Sequence, residues 1–172
     1  MTRVLADTNI YGTLSKDPER LSIVGGIKSN RKLIIYGFKI IRDELRNIPK
    51  KIKIEGKNLI IDLLNLYDEI TGKHNLKFTD DIVKRADDYY RAYREFGGSK
   101  SKNEIMNDFV IVACASVNNL DIVVSNDERS MLTENAIRAY KLINSVIGIT
   151  TPQFISYEKF KKMLRGEFNE LI

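Results

Sequence analysis

The 172-residue sequence predicts an α/β fold in three layers, with a mostly parallel central sheet of about four to five strands flanked by helices. Short apolar runs alternate along the chain with longer segments of helical periodicity, which is the order that βαβ units produce. The runs are apolar throughout, as is typical of strands that helices cover on both faces. With 43% hydrophobic residues, the chain is also the size of one ordinary domain. We therefore expect a single domain over residues 1–172.

Turn residues separate the predicted elements in the first part of the chain. Asp17-Pro18 ends the first helix, Gly25-Gly26 interrupts the second, and Pro49 ends the third. A basic linker at 50–57 then leads into an apolar helix, and a polar loop follows at 71–78. In chain order we predict a strand at 4–6, helices at 10–16 and 19–28, a strand at 33–36, and helices at 38–48 and 59–70.

The second part of the chain begins with a long helix. Thr79 is its predicted N-cap, and Gly97-Gly98 ends it. Asn103 is the predicted cap of the next helix, and Pro152 stands in the first turn of the last one. The remaining predicted elements are a helix at 105–117, a strand at 122–124, a helix at 128–144, a strand at 147–149 and a helix at 151–164.

The long helix carries an apolar stripe in which spacings of four and three residues alternate. Its members are Ile82, Ala86, Tyr89, Tyr93 and Phe96. Packing in the core of the chain is the simpler interpretation. Spacing this regular also suits a helix face that meets another subunit, which would imply a homodimer. The tyrosines also have faces on which bases could stack.

The composition excludes several classes of protein. No apolar stretch approaches the roughly 18 to 20 residues of a membrane span, so we expect a cytoplasmic protein without a membrane partner. Cys114 is the only cysteine, which excludes an internal disulfide, and in its apolar run a buried, inert thiol is expected. His74 is the only histidine and stands in the polar loop, where a surface position is the simplest interpretation.

The net charge of +5, from 28 basic and 23 acidic residues, favours polyanionic partners without demanding them. Basic residues cluster at 28–32, 50–57, 100–102 and 159–165. A solvated surface is the simplest explanation of these clusters. In the glycine-rich loop at 97–102, which we expect to be flexible, Lys100 and Lys102 are candidates for contacts to a nucleic-acid backbone.

Three aspartates stand where a parallel sheet collects its ligands. Asp7 and Asp127 each follow a predicted strand, so both belong at the carboxyl edge of the sheet. Asp108 lies in the second turn of a nearly all-apolar helix, where an ionised carboxylate is costly unless a positive or hydrogen-bonding group meets it. That helix and the following strand run in opposite directions over similar lengths, which brings Asp108 back to Asp127.

Glu44 is the fourth candidate. It lies on the inward stripe of its helix, two turns after the second strand, and reaches the same edge, whereas its neighbour Asp43 is turned toward solvent. A solvated position at the rim of the stripe is the alternative interpretation of Glu44. Four carboxylates in one place repel one another, and a divalent cation is the natural source of opposite charge.

Oxygen ligands favour Mg²⁺ or Mn²⁺, and the scarcity of cysteine and histidine makes a zinc site improbable. Such a cation lowers the pKa of a bound water and stabilises charge on an attacked phosphate. We therefore predict hydrolysis of phosphodiester bonds, with basic loops holding the nucleic acid. Asp7, Asp108 and Asp127 are the predicted metal ligands, and Glu44 is a further ligand or orients the water.

Several short motifs, taken in order, resemble those of PIN-domain ribonucleases: Ala-Asp-Thr-Asn-Ile-Tyr-Gly from Ala6, Ile-Arg-Asp-Glu-Leu from Ile41, Asn-Asp-Phe-Val-Ile-Val-Ala-Cys-Ala from Asn107, and Asp-Ile-Val-Val-Ser-Asn-Asp from Asp121. The resemblance covers nearly the whole chain. It implies metal-dependent endonucleolytic cleavage of RNA, with Asp7, Glu44, Asp108 and Asp127 at the acidic positions. Thr8 or Asn9, and Ser125 or Asn126, match supporting polar positions.

The same resemblance implies a biological role. Many family members of this size are toxins of VapBC-type toxin–antitoxin pairs, often dimeric, so an antitoxin protein is an implied partner beside the RNA substrate. A housekeeping RNA-processing nuclease is the nearest alternative, and a non-catalytic RNA-binding or scaffold module is a further one. A phosphatase with Asp7 as nucleophile is disfavoured, because the usual second acid two residues on is here Asn9.

Overall fold

A computed structural model describes residues 1–49, 53–54 and 57–167, so the basic linker predicted at 50–57 lies mostly outside the described residues. Within the described range the strands are β1 (Thr2–Ala6), β2 (Leu33–Phe38), β3 (Lys53–Ile54), β4 (Lys57–Asn58), β5 (Asn75–Leu76), β6 (Ile122–Val124) and β7 (Gln153–Ile155). The helices there are α1 (Thr8–Lys16), α2 (Arg20–Ser29), α3 (Lys39–Arg46), α4 (Leu59–Thr71), α5 (Asp80–Glu95), α6 (Lys102–Val117), α7 (Glu134–Ile147) and α8 (Tyr157–Leu164).

The central sheet of the described chain has five parallel strands in the order β5-β2-β1-β6-β7, and β3 and β4 form a separate antiparallel pair. β1 is the middle strand, where Val4 lies opposite Ile35 of β2 and Ile122 of β6. The chain builds outward from β1 on one side and returns to build β6 and β7 on the other. The switch point of the sheet therefore lies at the carboxyl ends of β1 and β6. The predicted α/β class with a parallel sheet flanked by helices is confirmed.

The middle of the sheet is buried on both faces. Val4 and Leu5 are neighbours whose side chains point to opposite faces, and both are fully buried. All three residues of β6 are likewise buried, and α6 is buried over most of its circumference. Helices cover both sides of these strands, which explains why the strand sequences lack the polar alternation of a half-exposed sheet.

Two strands of the central sheet differ from the predictions. β5 lies inside the segment predicted as the loop 71–78, where its two residues pair with the end of β2. So short a strand has no apolar run that could reveal it. The last strand is β7 instead of residues 147–149, because α7 continues to Ile147 and ends at Gly148 in a left-handed conformation.

The last two helices begin later than predicted. α7 begins at Glu134 instead of residue 128, with the Thr133 hydroxyl accepting a cap hydrogen bond, because residues 125–133 form turns around Asp127. α8 begins at Tyr157 instead of residue 151, with Ser156 as its N-cap, because the preceding residues form β7.

Two further helix predictions are corrected. The Gly25-Gly26 pair does not interrupt α2, which continues to Ser29. The N-cap of α6 is Ser101 instead of Asn103, and with Glu104 it forms a reciprocal capping box.

The apolar stripe of α5 packs in the core, as the simpler interpretation predicted. Its first four members are buried, Phe96 is half-buried, and the helix lies against α6 and α7. Cys114 is buried, as expected, and His74 is exposed, with its ring edge against Tyr36. Among the described residues no helix is long and apolar enough to cross a membrane.

Candidate active site

Asp7 is held rigidly where β1 gives way to α1. It is the N-cap of α1, and only 5% of its surface is exposed. Its carboxylate accepts hydrogen bonds from the Thr8 N–H at 2.7 Å, the Ser125 hydroxyl at 2.7 Å and the Asn9 side-chain amide at 2.5 Å. A carboxylate at the first turn of a helix also lies at the positive end of the helix dipole. The position of Asp7 is therefore fixed from both β1 and β6.

The predicted supporting residues join the two central strand ends. The Ser125 hydroxyl that donates to Asp7 also accepts from the Asn9 amide at 3.3 Å and from the Asp127 N–H at 3.1 Å. Asn126 donates its backbone N–H to the Asn9 side chain at 3.3 Å and accepts from the N–H of Tyr157 at 2.9 Å. This network ties β1, β6 and the start of α8 together at the switch point.

Glu44 of α3 is half-buried at the rim of its helix stripe, and both of its oxygens accept hydrogen bonds. The Thr8 hydroxyl donates to one of its oxygens, and the Asn107 amide donates to the other at 2.8 Å. Its neighbour Asp43 lies on the outer side, where it pairs with Lys39 and Arg46. Glu44 is therefore linked to α1 through Thr8 and to α6 through Asn107.

Asp127 sits in a turn built around its own carboxylate. One oxygen accepts from the N–H groups of Arg129 at 2.9 Å and Ser130 at 3.0 Å, and the other accepts from the Ser130 hydroxyl. Burial raises the pKa of Asp127, but these hydrogen bonds and the nearby Lys100 ammonium outweigh burial and lower it. Asp127 is thus ionised at neutral pH.

The other two aspartates have raised pKa values. Burial raises the pKa of Asp108 to about 7, although the Ser130 hydroxyl lowers it, and the charges of Asp7, Asp127 and Glu44 raise it further. Burial also raises the pKa of Asp7 to about 6, against its hydrogen bonds from Ser125 and Thr8. The four predicted acids therefore lie close enough to repel one another, as expected if all four lie at the carboxyl edge of the sheet.

The donor set fits a hard divalent cation, because it consists of carboxylate and hydroxyl oxygens. In the described part of the chain, no three His, Cys, Asp or Glu side chains are arranged to hold a metal ion as they stand. The Thr8 and Ser130 hydroxyls donate to Glu44 and Asp127, respectively.

The structure separates the two lysines predicted to contact nucleic acid. Lys100 is half-buried, and its charge acts on Asp127. Lys102 points to α5, where its ammonium pairs with Asp87 at 2.6 Å. The charge of Lys100 also lowers the pKa of the nearby Glu104 carboxylate.

Two residues that donate hydrogen bonds to the acids were not predicted from the sequence. Asn107 fixes Glu44, although it stands next to a predicted site residue and is itself exposed. Ser130 fixes Asp127, and the Asp-x-x-Ser spacing that closes this turn is a recognisable local signal. The sequence prediction of a helix from residue 128 concealed that signal.

Five parallel strands flanked by helices form a three-layer α/β fold, consistent with a PIN-like fold. No family model matches the chain, and no curated protein matches its sequence. Among solved structures, it is similar to a chain in the crystal structure of VapBC2 from Rickettsia felis bound to a DNA fragment from their promoter. The TM-score is 0.57, with 13% sequence identity over 90% of this chain and 98% of that chain. At this identity the similarity establishes the fold alone.

Proposed function

We propose that this chain is a metal-dependent endoribonuclease in which Asp7, Asp108 and Asp127 bind Mg²⁺ or Mn²⁺ and Glu44 assists as a ligand or orients water. One observation supports this most directly. Four carboxylates from separate parts of the chain meet at the switch point of the sheet, and two of them have pKa values raised to about 6 and about 7. Such a grouping is unfavourable for folding, and perturbed acids in one place are typical of functional sites.

In this proposal the residues of the site have different roles. When bound, Mg²⁺ or Mn²⁺ supplies an activated water and stabilises charge on the attacked phosphate. The Ser125 and Asn9 hydrogen bonds keep the Asp7 oxygens in a fixed direction, so little orientational freedom is lost on binding. Glu44 is only half-buried and is held at both oxygens, which suits a group that orients a solvent molecule.

Cleavage of RNA and DNA should be measured in parallel, with added Mg²⁺ or Mn²⁺ and in excess chelator. We expect cleavage of RNA that needs the metal, and Asp7→Asn and Asp127→Asn should lower it by at least about a hundredfold. Cleavage that survives chelator, or that is undiminished in both variants, would contradict the proposal. Near-UV circular dichroism should confirm that the variants remain folded.

Asp43→Asn is the matched control for Glu44→Gln. The two acids are adjacent on α3, but Asp43 pairs with Lys39 and Arg46 away from the other carboxylates. Loss of activity in Glu44→Gln with near-normal activity in Asp43→Asn is the expected result. Equal effects would indicate a role for the charge of α3 as a whole instead of a role for Glu44.

The finer proposal is that the nuclease is the toxin of a toxin–antitoxin pair. It is supported by the similarity to a chain of the VapBC2 structure and by the motifs that resemble those of PIN-domain ribonucleases. Expression in a bacterial host should then arrest growth, Asp7→Asn should relieve the arrest, and a small protein encoded beside this one should bind the chain. Normal growth with active enzyme would instead favour the housekeeping nuclease. A homodimer stays a prediction that sedimentation velocity can test.

A further inference from the structure

A cleft begins beside the acidic residues and runs along α1. At its inner end is Asn9, whose side-chain amide donates to Asp7 at 2.5 Å, and the same wall continues with Gly12, Thr13 and Lys16. These positions are three or four residues apart, so they share one face of α1, which is about 10 Å long. The cleft has a volume of about 860 Å³, within the range of ligand-binding sites. Through Asn9 it is continuous with the candidate active site.

The opposite wall of the cleft is the start of α8, where Tyr157 and Glu158 line it. The Tyr157 N–H donates at 2.9 Å to the side chain of Asn126, the neighbour of Asp127. The Tyr157 hydroxyl donates to Asp17 at 2.9 Å, so this residue is fixed at both its backbone and its side chain. Both walls therefore start from residues next to the aspartates of the site, and the cleft is formed without rearrangement of either helix.

The far end of the cleft holds acids whose charges are offset. The Lys161 ammonium pairs with Asp17 at 2.8 Å and with Glu19 at 2.9 Å, and Arg165 pairs with Glu19 as well. Glu158 is a third acid here, and its charge also acts on Lys161. This end of the cleft therefore lacks the uncompensated negative charge of the candidate active site.

The α1 wall leaves room and polar groups for a ligand. Lys16 is exposed and forms no ion pair with any side chain in the described ranges, so its ammonium is available to a phosphate. The Thr13 hydroxyl donates to the Asn9 carbonyl at 3.0 Å, and its oxygen can still accept. A Cβ atom added to Gly12 would meet nothing within 4 Å, so the missing side chain there keeps the cleft open.

We propose that this cleft binds the unpaired nucleotides of an RNA next to the phosphate that is cut, with a base against Gly12 and Thr13 and a backbone phosphate on Lys16. The proposal rests on the proposed nuclease function for the identity of the ligand, and it adds unpaired RNA as the substrate class. A neutral base suits a cleft with offset charges and polar walls better than a row of phosphates does. Base edges are exposed in single strands, whereas a duplex hides most of them.

Gly12→Leu tests the cleft directly, because the leucine side chain would extend into it. Gly25→Leu on α2 is the matched control, since an added Cβ meets nothing within 4 Å at either glycine. Leucine also favours a helix more than glycine does, so both variants should fold. The dissociation constant of a fluorescent single-stranded RNA should be measured by anisotropy in the Asp7→Asn background, which prevents cleavage. We expect Gly12→Leu to raise it about tenfold or more, Gly12→Ala to raise it less, and Gly25→Leu to leave it unchanged.

Pairing of the RNA tests the substrate class. The parent protein should bind the unpaired strand more tightly than the same strand annealed to its complement, and Gly12→Leu should remove most of this preference. Equal affinity of the parent protein for both forms would overturn the assignment of unpaired RNA.

Lys16→Gln tests the phosphate contact, with Lys84→Gln as its control. Lys84 is an exposed lysine of α5, away from the residues that line the cleft, so both variants lose one positive charge. We expect Lys16→Gln to weaken binding about three- to tenfold and to reduce the salt slope by about 0.7, with little change in Lys84→Gln. The same salt slope in both variants would overturn the contact from Lys16.

Two outcomes separate this inference from the proposed function. If RNA binding depends on Gly12 and Lys16 but the wild-type chain cleaves nothing with either metal, the nuclease proposal fails and the binding role of the cleft stands. If the chain cleaves RNA but Gly12→Leu binds and cleaves it as well as Gly25→Leu does, the role of the cleft is overturned and the nuclease proposal stands.

Discussion

At the scale of single residues, burial raises the pKa values of the aspartates in the candidate site, whereas hydrogen bonds lower them. Asp127 keeps a low pKa because its turn supplies two backbone N–H groups and a hydroxyl. For Asp108 and Asp7 burial prevails, and their pKa values rise to about 7 and about 6. The three aspartates therefore titrate apart, although they share one edge of the sheet.

The raised pKa of Asp108 predicts how stability depends on pH. The folded chain binds this proton below about pH 7, and the unfolded chain binds it only below the ordinary value of 3.8, so Asp108 makes the protein less stable as pH rises between these values. Asp108→Asn should therefore stabilise the protein by on the order of 1–3 kcal/mol at about pH 8 and by much less at about pH 4. Urea denaturation at the two pH values measures this. A gain of equal size at both would contradict the assignment.

Divalent cations should offset the loss of stability that ionised Asp108 causes at high pH. Mg²⁺ or Mn²⁺ added at about pH 8 should raise the Tm of the wild-type chain, because a ligand that binds only the folded state stabilises it. The shift should be much smaller in Asp108→Asn and should persist in Asp43→Asn. An identical shift in all three proteins would place the cation elsewhere. Scanning calorimetry gives the answer without reference to activity.

The acidic residues of the site were largely predictable from the sequence, but the hydrogen bonds that hold their carboxylates were not. An acid after each buried strand, or inside an apolar helix, is visible in the sequence, and the structure brings Asp7, Asp108 and Asp127 to one edge. The hydrogen bond from Asn107 to Glu44 joins residues 63 positions apart, and no local pattern encodes it. The hydrogen bond from Ser130 to Asp127 is local, but the sequence between these residues also fits the start of a helix.

At the scale of elements, the contact between β2 and β5 depends on the absence of one side chain. A Cβ atom on Gly37 would lie 2.4 Å from the Asn75 side-chain oxygen and 2.6 Å from the Tyr67 hydroxyl. Tyr67 is buried and donates to the Phe38 carbonyl at 3.2 Å, so it has little room to move. Gly37 therefore allows α4 and β5 to approach the end of β2 closely.

Gly37→Ala should lower the free energy of unfolding by about 1–3 kcal/mol, because overpacking forces neighbouring groups aside. Gly25→Ala is the control. It lies on an exposed part of α2 where an added Cβ meets nothing within 4 Å, so it should stabilise by about 0.5–1 kcal/mol. Urea denaturation distinguishes the two. A neutral Gly37→Ala would mean that Tyr67 and Asn75 move freely.

Elements with strong apolar runs were predicted well, and those made by long-range pairing were not. β6 was predicted to the residue, because Ile122–Val124 is apolar and bounded by polar residues. β5 has only Asn75 and Leu76, and it is a strand solely because β2 lies beside it. The error at residues 147–149 has a different origin, since Ile147 is the last residue of α7 and Gly148 is its C-cap.

At the scale of the whole molecule, an ion cluster joins α8 to the turn between α1 and α2. The Lys161 ammonium of α8 pairs with Asp17 at 2.8 Å and with Glu19 at 2.9 Å, at the turn between α1 and α2. The Tyr157 hydroxyl also donates to Asp17 at 2.9 Å. The cluster lines a cleft of about 860 Å³ that extends along α1 from Asn9.

Lys161→Met should lower Tm more than Lys28→Met does. Lys161 and Asp17 are nearly buried, so loss of the lysine leaves the Asp17 carboxylate without its main counter-charge. Lys28 pairs with Glu69 at 3.0 Å on the open surface, where an ion pair contributes little. Thermal unfolding of both variants at neutral pH tests this. Equal shifts would show that burial of the cluster is unimportant.

The fold class and the parallel direction of the strands could be predicted from the sequence, because alternating strands and helices are connected in a restricted way. Alternating strands and helices allowed the carboxyl edge to be named before the order of strands was known. The order itself, with β1 in the middle, depends on which buried strands pair, and Val4 pairs with residues on both sides. No single-sequence pattern distinguishes that order from its alternatives.

The hydrogen bond from Ser125 to Asp7 joins residues 118 positions apart, and this separation has a consequence during synthesis. A growing chain cannot assemble the acidic site until β6 has left the ribosome and paired with β1. Contacts of such long range also form late and slowly in folding. If the chain is the nuclease proposed above, a nascent or truncated product that ends before β6 carries no hazard for the RNA around it, and activity begins only after β6 has been made.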